Sequence, residues 1–174
     1  APELDTLWPE LSGTLDSRGS LELDGVNPVA RFGLHAADLH YRNYAIATLD
    51  TEVAMNNATQ TGDASFKASG IVIDDVDITQ LTAHANGSLR AHSLQLKLDS
   101  SLGKAAFSGE GNFANDTWQG DLKAVTLEPT GAGIWQAETP WQPRIGIDGF
   151  SWPQACVSQA TAFACGTASW LTQN

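Results

Sequence analysis

No stretch of this 174-residue sequence is long and apolar enough to cross a bilayer as a helix: the longest apolar runs, such as Ile71-Val72-Ile73, fall far short of the roughly 20 residues required. Basic residues are scarce too. Lys and Arg number 9 against 20 Asp and Glu, a formal net charge of -11 that would repel a phosphate backbone, so nucleic acid is not an expected partner. The charged fraction is only 17%, and Ser, Thr, Asn and Gln supply much of the remaining polarity, which suits a secreted or periplasmic surface. The chain starts at Ala1 without a Met, and nothing near it resembles a charged segment followed by an apolar leader core. The expectation is a mature chain or an excised fragment.

Only 2 cysteines occur, Cys156 and Cys165. Their spacing can close a hairpin-sized disulfide in an oxidising compartment, and a pair of buried free thiols is the other reading. Zinc would need two further ligands that have no nearby candidates. Catalytic patterns are missing as well. His35, His40, His84 and His92 show no helical i, i+4 pair with an attendant Glu, and strand assignment puts His84 and His92 on a polar face. Asp74, Asp75 and Asp77 lack the order of a calcium loop and read as a solvated turn. Phe107-Ser108-Gly109-Glu110-Gly111 has glycines at the wrong offsets for a nucleophile elbow, and no Walker loop or dinucleotide fingerprint occurs. No enzyme activity, metal or cofactor is expected.

What the sequence has is alternation. Leu11 to Leu15, Ser20 to Asp24 and Ala30 to His35 each alternate apolar with small or polar residues, as half-buried strands do. The apolar set changes phase near Ala47-Thr48, where a bulge or bend is expected. Further strands read as Ala64 to Ser69, Gly70 to Ile73, Asp77 to Ala85, Ser88 to Ser100, Lys104 to Gly109 and Trp118 to Thr126. Turn residues separate them at Asp24-Gly25, Asn56-Asn57, Gly62-Asp63, Asp74-Asp75, Asn86-Gly87, Ser101 to Gly103 and Asn115-Asp116. Helix is confined to possible single turns at Asp38 to Arg42 and Pro129 to Gln136. The fold class is all-β: a meandering or coiled, mostly antiparallel sheet. Residues 1–128 form its repeating part. From Pro129 to Asn174 prolines and tryptophans accumulate, and this end segment, part of the same domain, reads as an end cap or a docking surface.

One face of the sheet is apolar and must be covered by a second layer or curl around something else. Its residues are Leu21, Leu23, Phe32, Leu34, Ile46, Val53 and Met55 in the first strands, then Phe66, Ile71, Ile73, Ile78, Leu81 and Leu89. Leu94, Leu96, Leu98, Phe107, Phe113, Leu122 and Leu127 complete the set. Eight to ten strands about 4.8 Å apart would make a trough roughly 40–50 Å long. Periodicity leaves both an ordinary sandwich core and an open trough standing.

A resemblance bears on that choice. Leu11-Ser12-Gly13-Thr14-Leu15 with Gly19 to Leu23, the run Gly87 to Leu98, Gly109-Glu110-Gly111-Asn112-Phe113, and the closing Ala155-Cys156, Cys165-Gly166 and Trp170 resemble the TamB family of AsmA-like proteins of Gram-negative bacteria, in its C-terminal half. The resemblance implies an elongated sheet curled into a taco-like groove with an apolar interior, in a periplasmic segment of a protein anchored in the inner membrane. It also implies a cysteine pair after the repeating strands. Expected partners are phospholipid acyl chains passing between the inner and outer membranes, a TamA-like outer-membrane barrel protein, and outer-membrane protein precursors during assembly.

Overall fold

A computed structural model describes residues 9–24 and 27–171. Among them the chain forms one twelve-stranded sheet and no helix. Eight long strands come first: β1 (Leu11–Asp24), β2 (Asn27–Tyr41), β3 (Tyr44–Asn56), β4 (Thr61–Ile73), β5 (Val76–Ser88), β6 (Ala91–Ser100), β7 (Gly103–Ala114) and β8 (Thr117–Pro129). Then follow β9 (Trp135–Ala137), β10 (Arg144–Gly146), β11 (Gly149–Gln159) and β12 (Ala162–Leu171). From β1 to β8 each strand pairs antiparallel with the next.

Tight turns make this meander possible. Between β7 and β8 only Asn115 and Asp116 intervene, with φ of 51° and 56°. Asn and Asp tolerate this left-handed region, and two such residues form the turn whose twist matches that of the flanking strands. Arg42 and Asp74 supply the positive φ of the β2–β3 and β4–β5 turns.

Several expected elements differ. Ala64 to Ser69 and Gly70 to Ile73 are one strand, β4, and Leu11 to Leu15 and Ser20 to Asp24 are both in β1. Asn86-Gly87 is no turn: it lies inside β5, and the chain reverses at Leu89-Arg90. Of the candidate helical turns, Asp38 to Tyr41 belongs to β2, and a non-helical turn at 130–132 leads to β9. The Asp24-Gly25 turn falls partly outside the described residues.

The phase change at Ala47 belongs to a bend shared by β2 to β5. Asp38, Ala47, Gly70 and Thr79 occupy one cross-strand row, flanked on one side by Leu39, Ile46, Ile71 and Ile78 and on the other by Ala37, Thr48, Ser69 and Gln80. Register runs unbroken across this row from β2 to β5, yet Asp38 and Gly70 have φ of 52° and 57°. The backbone flips there, so Leu49 and Val53 before the row and Ile46 beyond it face the same side.

Past β8 the pairing closes on itself, because β8, β10, β11 and β9 bond in a small ring. The registers explain the ring. Thr126 pairs Gln136 and Gln119 pairs Arg144, an offset change of one residue, so β9 and β10 are two pieces of one strand lying between β8 and β11. Residues 138–140 leave that ladder, which resumes at Trp141, where backbone hydrogen bonds are exchanged with Leu122, and at Pro143, whose carbonyl accepts the Gly120 N–H. Leu122, Val125 and Trp141 form the buried cluster here, with Phe107, Trp118, Leu127, Trp152 and Val157 packed on it. Cys156 and Cys165 face each other across β11 and β12 and are disulfide-bonded, their Cα atoms 4.1 Å apart.

A Cβ added to Gly70 would lie 2.7 Å from the Ala47 Cβ and would sit on a left-handed backbone, whereas one on Gly166 meets nothing within 4 Å. Gly70→Ala is therefore expected to lower the melting temperature by roughly 2–8 °C. In the same thermal unfolding measurement Gly166→Ala should stay within a degree or so of the parent.

Candidate functional site: an open apolar face

Side chains alternate across a strand, so constant register places them in transverse lanes. One lane runs Leu15, Ala36, Leu49, Ala68, Leu81, Leu98, Ala105, Leu127 from β1 to β8. The next runs Leu34, Thr51, Phe66, Ala83, Leu96, Phe107, Val125, and a third runs Phe32, Val53, Ala64, Ala85, Leu94, Gly109, Leu122. The intervening rows are polar. His35, Asp50, Lys67, Thr82 and Lys97 align, with His35 Nδ1 2.6 Å from Asp50 Oδ1, and His84 Nε2 lies 2.9 Å from Asp63 Oδ2.

The remaining expected positions fall around these lanes. Ile46, Ile71 and Ile78 form a row beyond the bend, and Ile73 is the last residue of β4. Leu21 stands opposite Ala30, which pairs with Met55, and Leu23 opposite Pro28. Phe113 pairs with Trp118 at the far end of β7. Leu89 stands apart, in the β5–β6 turn, where its carbonyl accepts the Phe113 N–H.

Little of this face is covered. Among the described residues the buried apolar side chains are few: Ala36, Ala68, Ile71, Leu122, Val125 and Trp141. Leu21 is 67% exposed and Met55 59%. The chain's accessible surface is 11830 Å², against about 8,200 Å² expected of a compact monomer of its mass. A closed sandwich would not leave that excess.

The structure moves one histidine. His92 shares the face of Leu94, and the indole N–H of Trp118 donates to its Nε2 at 2.8 Å. Its Nδ1–H donates to the Ser88 carbonyl at 3.0 Å, so the ring here is the neutral Nδ1–H tautomer. The period that selects Leu94, Leu96 and Leu98 carries back to residue 92, and that was the available signal. Trp118 lies flat across the sheet over Gly111 and Gly120. The other face carries a polar cleft of about 970 Å³ whose lining includes Arg90, Glu110, Asp121 and Arg144.

A Cβ on Gly111 would lie 2.7 Å from the Trp118 indole nitrogen, and one on Gly120 would collide with the ring itself. Gly111→Ala and Gly120→Ala are expected to lift the indole off the sheet and break its bond to His92. The Trp118 indole N–H signal in a proton–nitrogen correlation spectrum should shift toward the free-indole position and exchange faster with solvent.

Among the described residues no helix is long and apolar enough to cross a membrane. No solved structure matches the chain. The family model described as TamB, N-terminal domain matches residues 1–165. That domain replaces the C-terminal half to which the sequence motifs pointed. With the match spanning nearly all of the sequence and the sheet curled with one apolar face, the chain belongs to the TamB family as a non-enzymatic β-taco domain.

Proposed function

We propose that the apolar face is a groove that carries phospholipid acyl chains between the inner and outer membranes, in a periplasmic segment of a protein anchored in the inner membrane. The observation that carries this reading is the register: one apolar lane crosses β1 to β8 and two more cross β2 to β8, none with a charged residue in it. Seven strand spacings make the first lane about 34 Å long and six make the other two about 29 Å, close to the roughly 30 Å of a bilayer's hydrocarbon core. Each methylene taken from water contributes about 0.8 kcal/mol, so a sixteen-carbon chain gains at most about 13 kcal/mol before ordering costs. Generic aliphatic lining suffices at that magnitude, and the lining positions named above act together. In this reading residues 1–128 are the groove and 129–174 its end segment.

A second reading rests on the edges. Among the described residues β1 and β12 each pair on one side only, which leaves a row of unpaired backbone groups along 14 and 10 residues respectively. An outer-membrane barrel precursor, or a TamA-like barrel partner, could add a strand there.

The two separate by photocrosslinking in cells, with a crosslinking residue at Leu94 or Leu96 of the full-length protein and at Gln95 or Lys97 as opposite-face controls. Phospholipid adducts confined to the two Leu positions are expected. Barrel-precursor adducts in their place would favour the second reading, and no adduct of either kind would mean the face is covered.

A further inference from the structure

The apolar face changes character along its length. Over β4 and β5 four lane positions are alanines, Ala64, Ala68, Ala83 and Ala85, which leave depth above the sheet beside Phe66 and Leu81. From β7 onward aromatic rings fill that depth: Phe107 lies 6.2 Å from Trp141, Trp141 5.2 Å from Trp152, and Trp152 5.9 Å from Phe150, centroid to centroid. Trp141 is only 7% exposed.

The way Trp141 arrives is informative. The strand made of β9 and β10 could have run straight between β8 and β11, since its register is nearly the same at both ends. Instead residues 138–140 leave the ladder, with Pro140 unable to donate a ladder hydrogen bond. Trp141 then returns to β8, bonding Leu122 in both directions at 2.8 and 3.0 Å, and the Gly120 N–H donates to the Pro143 carbonyl at 3.0 Å. Its indole N–H is anchored on the Cys156 carbonyl of β11 at 3.1 Å. A large ring is thus clamped from two strands against Leu122 and Val125, which stand in two neighbouring lanes.

The sheet itself does not stop at Trp141. By register, the lane of Phe66, Ala83, Leu96, Phe107 and Val125 passes through Ala137 to Val157 and Ala164. Ala137 and Val157 pack on the cluster around Trp141, and Ala164 continues the lane beyond it.

We propose that Trp141 is a stop in the groove: acyl chains occupy the lanes over β2 to β6 and are held short of β11 and β12 by its ring. This rests on the lipid reading above and assigns the residue that limits how far a chain can lie.

The test uses full-length protein with vesicles of phosphatidylethanolamine and phosphatidylglycerol doped with a phosphatidylethanolamine that carries a photoactivatable diazirine on its acyl chain. Adducts are mapped by peptide mass spectrometry. The native protein should be labelled at Val53, Ala85 and Leu94 and show background labelling at Val157 and Ala164. Trp141→Ala should raise Val157 and Ala164 to the level of Leu94. Should that variant fail to fold, Trp141→Leu keeps an apolar side chain at the site and should show the same spread in part. Ala83→Trp, which leaves Trp141 untouched, should create a second stop and remove labelling at Leu96 while Val53 keeps it. Native labelling of Val157 and Ala164 equal to Leu94, or a pattern indifferent to all of these variants, would overturn the stop and leave the lipid reading intact. A folded native protein without adducts anywhere would overturn both.

Discussion

Register is the constraint on which the rest of this structure depends. Side chains in a strand alternate between faces, and a slip of one residue between neighbours would send every leucine of a strand to the polar side. Short turns at Arg42-Asn43, Asp74-Asp75, Leu89-Arg90, Ser101-Leu102 and Asn115-Asp116 hold successive hairpins in line. At the bend through Asp38, Ala47, Gly70 and Thr79 the alternation changes phase in several strands together, and the apolar face survives the change. Lanes arise because this alignment persists from β1 to β8.

A long sheet with one apolar face normally finds a second layer. Here the buried cluster is confined to one end of the same sheet, where Trp141 and its aromatic neighbours pack on Leu122 and Val125. Elsewhere the excess surface remains, with Phe32 and Met55 about half exposed and Leu21 and Leu23 still more so. An apolar surface of that extent on a monomer needs an occupant. Ion pairs on the opposite face, such as Lys123 with Glu110 at 2.9 Å, are solvent-exposed and add little to stability. They do raise the Lys123 pKa, through the hydrogen bond to Glu110 and its charge, and keep that face polar.

Much of this was legible in the residues. Leu94, Leu96 and Leu98 alternate with Gln95, Lys97 and Asp99 so cleanly that strand and face follow at once, and the phase change at Ala47 foretold the bend. Alanine hid the rest of the lanes: Ala36, Ala64, Ala68, Ala83 and Ala85 are too small to mark a face by themselves, and only pairing to Leu49, Val53 and Leu94 reveals them. Asn86-Gly87 has the composition of a tight turn, but the pairing of Gly87 with His92 and Ser88 with Ala91 extends the hairpin two residues further and puts Leu89 at its tip. The end segment was least readable. Its strand is interrupted by an excursion whose purpose shows only when Trp141 is seen over Leu122, a contact between residues 19 positions apart across a proline-rich stretch.

The central claim is that the apolar face holds acyl chains, and lipid content tests it most directly. Full-length protein purified from cells would be analysed by mass spectrometry for bound phospholipid, as native protein, as Ala85→Glu within a lane and as Gln95→Glu on the opposite face. A carboxylate in the lane makes acyl burial costly, whereas one on the polar face does not. The account predicts phospholipid on the native and Gln95→Glu proteins and its loss from folded Ala85→Glu. Equal phospholipid on all three, or none on the native protein, would contradict it.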